Sequence, residues 1–265
     1  MAAVTVRQES SIRRLHNSLT PEQIILTAAV LAFGALVQSV IGFGLGVVVI
    51  PLLVWGGWTL PEAICMVLPN VFLQSLLNCW QNQAELPWKD AVEVFIPRVI
   101  SLPIGVMLLQ FISEAGESLT RQILGVGLIL MLVLQQMTRH SSLKLQGRTG
   151  AILAGTSSGF LAGLIGMGGA PLVFFVMGKS WSNARQRAFL WLNFLLIVPL
   201  QLLIMGIALG VDLTKTMGLG LAFSPVTLLI AWWGSRLGNA ISNDRLRLCM
   251  QLFLLLIGAR LIFWW

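Results

Sequence analysis

Long apolar runs alternate with short polar breaks along the chain from residue 24 onward. The runs cover 24–41, 45–57, 62–80, 91–112, 119–138, 149–166, 169–178, 185–210, 215–235 and 246–265. A helix needs about 20 predominantly apolar residues to cross the hydrocarbon core of a bilayer, and most runs approach that length. Two do not: 45–57 and 169–178 are short, and each follows a glycine cluster. They read as second halves of broken helices or as re-entrant pieces, because irregular backbone at membrane depth is tolerated only inside protein. The polar breaks carry helix-start chemistry. Thr20-Pro21-Glu22-Gln23 and Thr59-Leu60-Pro61-Glu62 each place a capping hydroxyl, an early proline and a reciprocal acceptor in order. Leu86-Pro87-Trp88-Lys89 is a further break, with Trp88 suited to the headgroup level.

The pattern repeats. Ile41-Gly42-Phe43-Gly44-Leu45-Gly46, followed by Pro51, is echoed by Ile165-Gly166-Met167-Gly168-Gly169, followed by Pro171. Asn70 and Asn193 stand at nearly matching distances downstream, and the spacing from Gly105 to Ser113 equals that from Gly234 to Ser242. Ordered landmarks of this kind indicate an internal duplication. The predicted organisation is an N-terminal tail (1–23), a first transmembrane repeat (24–138), a polar linker (139–148) and a second repeat (149–265). Five runs per half is an odd number, so the halves are expected to be inverted. The predicted fold class is an all-α polytopic membrane protein of two inverted repeats, each with a glycine-broken helix near its start.

Composition agrees. Of 265 residues, 57% are hydrophobic and 10% charged, against roughly 25% charged in an average soluble protein. A mean hydropathy of +0.86 leaves more apolar surface than one soluble core can hide. The charge of +7 sits mostly in short loops. It reads as topology by the positive-inside rule and not as a nucleic-acid surface. Three basic clusters, Arg139/Lys144/Arg148, Lys179/Arg185/Arg187 and Arg236/Arg245/Arg247, are expected on one, cytoplasmic side, with Glu62, Glu114, Glu117 and the N-terminus outside. The stretch from Arg7 to His16 precedes the first apolar run without the form of a signal peptide. Cys65, Cys79 and Cys249 lie in apolar runs without a CxxC, so no metal or redox site is predicted, and no cofactor. His16 and His140 fall in predicted loops, which leaves no catalytic histidine within the membrane. No catalytic residues are predicted.

Every acidic residue can be placed in a loop or at a helix end. The interior is therefore neutral-polar or positive, whereas ion-coupled transporters of cations usually keep a carboxylate there. The glycine clusters are the main candidate site. Glycine permits a broken helix, and the freed N–H groups of the following half-helix attract an anion. Close helix packing is the competing reading of such clusters. Backbone near Gly42, Gly44, Gly46, Gly166, Gly168 and Gly169 is the predicted donor set, with Asn70 and Asn193 adding side-chain donors and Gln38 and Gln74 behind them. Asn70, Gln74 and Asn78 share one helical face, which lines a cavity or bonds a neighbouring helix. Arg98 is expected to snorkel to the interface, with substrate contact as the alternative.

The stretches Gly34–Pro51 and Gly159–Pro171 carry a resemblance to the sulfite exporter TauE/SafE family of membrane permeases, and the similarity extends over nearly all the chain beyond the tail. The first motif has Leu45 where a third adjacent glycine is common in that family. The resemblance implies a multi-pass permease of the bacterial inner membrane for sulfite, sulfonate or a related organosulfur anion. Combined with the duplication, it gives a permease working by alternating access. A carrier of carboxylate anions and a non-transporting scaffold or assembly factor are the alternatives. The partners implied are a small anion and the lipid bilayer. Proton or sodium coupling and a homo-oligomer both fit the class, and nucleic acid does not.

Overall fold

The computed structural model describes residues 21–41, 44–140, 147–209, 213–237 and 255–261. The regular elements among them are helices: α1 (Pro21–Ile41), α2 (Leu45–Trp55), α3 (Leu60–Gln81), α4 (Trp88–Ala115), α5 (Glu117–His140), α6 (Gly147–Ile165), α7 (Gly169–Met177), α8 (Asn183–Leu209), α9 (Leu213–Ala222), α10 (Ser224–Leu237) and α11 (255–261). A 3₁₀ turn at Gln83–Glu85 joins α3 to α4. Among the described residues four helical stretches are long and apolar enough to cross a membrane: Pro21–Ser39, Leu60–Gln81, Trp88–Ala115 and Asn183–Leu209. A fifth is a pair, Lys215–Ala222 and Ser224–Gly234, bent by 45°. The run 215–235 was expected as one helix. It breaks at Phe223 because Pro225, in the first turn of α10, has no N–H and its ring would clash with a continuing turn. His140, expected in a loop, is the last residue of α5.

The short helices turn back. Gly34 in α1 lies against Val49 and Leu45 of α2, and Gly56 beyond the end of α2 lies beside Leu26 near the start of α1. The two helices are therefore antiparallel, and the 11 residues of α2 rise only about 16 Å. α6 and α7 form the corresponding hairpin in the second half. Each hairpin enters and leaves on one side, and the crossings are left to the other long helices.

The most extensive helix contact is α4 on α6. It depends on a ladder of small residues, Gly155, Gly159 and Gly163, whose added Cβ atoms would overlap the carbonyl oxygens of Val94, Arg98 and Leu102 respectively. The order of these contacts makes α4 and α6 parallel. Other contacts between the two halves include α1 with α10, α3 with α8, α9 and α10, α4 with α8, and α5 with α7.

Following the chain through these helices sorts the charges. Lys89, Arg148, Lys179, Arg185 and Arg187 lie at one end, where Lys179 pairs with Asp90 at 2.7 Å. Glu62, Glu114 and Glu117 lie at the other. Glu62 closes the expected capping box by accepting the Thr59 N–H at 2.8 Å. Exposed Trp80 and Trp88 mark the basic end, and exposed Trp55, covered by the Arg260 guanidinium, marks the opposite one. Between these belts α4 exposes Val92, Ile96, Ile100, Ile104 and Phe111 along one stripe, the face that meets lipid.

Gly159→Ala should lower the thermal stability of the detergent-purified protein by about 1–3 kcal/mol, because its methyl meets backbone that no rotamer change can move. Gly206→Ala, where no atom lies within 4 Å of the added carbon, should be neutral or gain up to about 1 kcal/mol. Equal losses at both positions would show that the glycine ladder does not set the α4–α6 distance.

Candidate functional site

Both hairpins break at glycines with backbone that other residues rarely adopt. Gly166 has φ +73° and ends α6, its N–H donating to Ala162 O at 3.0 Å. Gly44 has φ +119° and precedes α2, its carbonyl accepting the Val48 N–H at 3.0 Å. A broken helix leaves backbone groups that must be satisfied inside protein. Two side chains add bonds to backbone carbonyls beside the break in the second half. Gln201 of α8 donates Nε2 to Ala162 O at 2.7 Å, and Ser158 Oγ donates to Gly168 O.

The two breaks touch. A Cβ at Gly46 would lie 3.1 Å from Gly166 O, so the start of α2 rests on the end of α6. Around this contact is a cavity of about 40 Å³. A single water needs about 10–15 Å³ on such a measure, so the space holds a small polyatomic group. Its lining brings together Gln38 of α1, Gly44 and Gly46 at the start of α2, Arg98 of α4, Gly166 at the end of α6, Gly168 and Gly169 at the start of α7, and Gln201 of α8. Val67 and Val71 of α3 and Ile197 and Val198 of α8 complete the walls.

Chemically the lining is electropositive. Two helix starts face one space, and the N–H groups of Leu45, Gly46 and Val47 precede the first intrahelical bond of α2. In α7, Gly169 and Ala170 supply N–H groups, whereas Pro171 has none. Gln38 is 1% exposed and its Nε2 has no partner. Among the described residues Arg98 is the one buried charged side chain, and every described carboxylate is at least partly exposed.

Of the residues singled out in the sequence, Gln38, Gly44, Gly46, Gly166, Gly168 and Gly169 lie on the cavity, and Gly42 lies outside the described residues. The asparagines do not line it. Asn70 donates Nδ2 to Gly220 O at 2.9 Å and to Met66 O at 3.1 Å, and its Oδ1 accepts from Thr227 at 2.7 Å and Ser224 at 3.2 Å. Its side chain is thus occupied in fastening α3 to the bent pair α9–α10. Asn193 donates to Phe189 O at 3.0 Å within its own helix, while its Oδ1 is buried without a partner. Gln74 stands one turn beyond Val71 on the same face of α3, off the cavity lining, with both amide atoms buried and unpartnered.

Arg98 requires a correction. It does not snorkel: it is 1% exposed, and it stands ten residues into α4, about 15 Å along the axis from Trp88 at the interface. That depth exceeds the reach of its side chain. Its Nη1 instead donates to Asn193 O at 2.9 Å, and the guanidinium lies over the Phe194 ring at 5.6 Å. A charge this deep in an apolar run is itself a sequence-level mark of function. Gln201 is the other lining polar residue that the predicted set omits, and a single glutamine on an apolar helix carries no distinguishing signal.

The family model described as sulfite exporter TauE/SafE matches residues 26–261. The chain belongs to this family. A curated relative, the probable sulfite/organosulfonate exporter TauE of Cupriavidus necator, is 26% identical over 174 residues. That alignment covers 63% of this chain and 65% of the relative, so the two correspond over less than two thirds of either length. No solved structure matches the chain. For this member of the TauE/SafE family, a multi-pass membrane location follows at the level of the class.

Within this TauE/SafE protein the asparagine geometry separates packing from binding. Asn70→Ala removes the bond to Gly220 O and the acceptor for two buried hydroxyls. Unliganded thermal stability should fall by about 1–3 kcal/mol, with the anion affinity of the folded fraction unchanged. Weaker anion binding with full stability would put Asn70 in the site.

Proposed function

We propose that this protein is a permease that moves a small oxyanion of the sulfite or sulfonate class across the bacterial inner membrane by alternating access. The observation that carries the reading is the convergence of two glycine-broken hairpins on one cavity that contains helix starts, an unpartnered amide and a guanidinium. Backbone N–H groups at Gly44–Gly46 and Gly168–Gly169 bind the oxygens, and Gln38 adds a side-chain donor. Preorganised donors of this kind hold an anion without having to be desolvated anew at each binding event. The family, named for exporters, and the printed name of the relative support the substrate class. A helical bundle, in contrast to the β-barrels of bacterial outer membranes, supports the inner membrane.

The inverted-repeat part of the reading rests on matching contacts. If α1 to α4 correspond to α6–α7, α8 and α9–α10, then α4 on α6 is the counterpart of α10 on α1, and α3 with α8 is its own counterpart. Two equivalent hairpins entering from opposite ends can move against the α3–α8 pair and open the central cavity to either side in turn. The basic end faces the cytoplasm by the positive-inside rule. The reading assigns the chain no covalent chemistry.

Proteoliposomes loaded with radiolabelled sulfite should release it faster than protein-free vesicles, and the rate should saturate with internal concentration. Gln38→Ala should weaken apparent affinity about tenfold, the scale of one hydrogen bond to a charged group. Folded protein that moves none of sulfite, thiosulfate, a simple sulfonate or a carboxylate would overturn the permease reading. Transport of carboxylates alone would redirect the substrate class.

A further inference from the structure

Among the described residues Arg98 is the one buried charged side chain, and it is poorly compensated. It is 1% exposed, its Nε is buried without a partner, and one backbone carbonyl, Asn193 O, accepts from Nη1. The ion pairs among the described residues are Lys179–Asp90 and Arg121–Glu117, and Arg98 is in neither. An ionised group in a low-dielectric interior is costly unless an opposite charge sits beside it. The backbone that carries it is fixed, because Arg98 O is one of the carbonyls against which the α6 glycine ladder packs, through Gly159. The guanidinium is held on the cavity wall by its bond to Asn193 O and by the Phe194 ring.

The charge is also one-sided. Arg98 stands seven residues before Gly105, and Thr227 stands seven residues before Gly234, the matching glycine of the second half. Thr227 is neutral and its hydroxyl is engaged with Asn70 Oδ1 at 2.7 Å. The two helix starts are contributed by both halves, but the full positive charge comes from the first alone.

We propose that Arg98 takes the negative charge of the transported anion, and that it makes the site selective for oxyanions whose charge is not balanced by an ammonium of their own. This rests on the permease reading above. The arrangement of two helix starts, Gln38 and a lone guanidinium supplies donors for an oxyanion head and a counter-charge for it. An ammonium on the same molecule would meet no buried carboxylate among the described residues, and it would be brought close to a like charge in a medium that screens poorly. Sulfite and simple alkanesulfonates fit. Zwitterionic aminosulfonates do not.

The test uses the detergent-purified full chain and thermal unfolding in a buffer without other small oxyanions, with sulfite, methanesulfonate and taurine as probes. Bound ligand raises the unfolding temperature by mass action, so a titration midpoint reads affinity. The wild type should be stabilised saturably by sulfite and methanesulfonate, and taurine should need at least about tenfold higher concentration for the same shift. Arg98→Gln should unfold at the same or a higher temperature than wild type without ligand, since it removes an uncompensated charge, and its response to sulfite should weaken more than about tenfold. Arg98→Lys should keep part of the response. An Arg98→Gln protein that folds and responds to sulfite with the wild-type midpoint would overturn the role of Arg98 and leave the permease reading standing. Equal stabilisation of the wild type by taurine and methanesulfonate would overturn the charge selection. This wild-type comparison, with Arg98→Lys, decides the matter if the glutamine variant fails to fold. A wild type stabilised by none of the probes would overturn both this proposal and the sulfite and sulfonate reading.

Discussion

Two interrupted helices meeting backbone to backbone, in a region without bulk water, is the constraint on which this structure depends. The start of α2 rests on the end of α6 so closely that a Cβ at Gly46 would come within 3.1 Å of Gly166 O. Helix breaks at membrane depth leave polar backbone groups that lipid cannot satisfy, at several kcal/mol each. The breaks must therefore be enclosed by protein, and their freed groups must find partners. Gln201 and Ser158 add side-chain bonds to the carbonyls of Ala162 and Gly168 beside the second break. The first-turn N–H groups of α2 and the start of α7 face the cavity instead. Enclosure, close approach and an electropositive centre are consequences of one arrangement, and glycine is required at Gly44 and Gly166 by their positive φ.

The buried polar groups divide by whether their bonds are already made. Asn70, Ser224 and Thr227 form a closed set that joins α3 to α9–α10. Asn78 donates to Gln74 O at 2.8 Å, and Asn193 to Phe189 O at 3.0 Å, so these amides partly serve their own helices. Gln38 Nε2 and Arg98 Nε, by contrast, are buried on the cavity lining with no partner. Buried polar groups in native proteins are overwhelmingly hydrogen-bonded, and an unpaired one is costly. Other open groups, among them those of Gln74, Ser75, Trp191 and Asn193, lie off the cavity lining, so it is the pairing of an amide donor with a charged one on a single cavity that marks this place.

Much of this was legible in the sequence, and the reasons for the misses are specific. The apolar runs gave the helices because lipid demands length and composition together, and the glycine clusters gave the breaks because few other residues take positive φ. Thr59 and Glu62 announced the start of α3 by local chemistry alone. The bend at Phe223 was missed because the apolar run continues through it, and Pro225 two residues later was the available signal. Asn70 was expected at the substrate because a polar residue on an apolar helix looks the same whether it faces a cavity or another helix. Only its distant partners, Gly220, Ser224 and Thr227, distinguish the two. For Arg98 the signal is its depth within the run, about 15 Å of helix from the interface and more than the side chain can span.

Locating a heavy-atom analogue of the anion tests the central claim most directly. Selenite has the shape and charge of sulfite, and selenium scatters anomalously, so a crystal of the protein soaked in selenite reports the site without any assumption about transport. The account predicts an anomalous peak in the cavity between Gly44–Gly46 and Gly168–Gly169, with its oxygens within hydrogen-bonding reach of Arg98 and Gln38. A peak beside Asn70 and Thr227, or selenite found only on exposed lysines and arginines at the basic end, would contradict it.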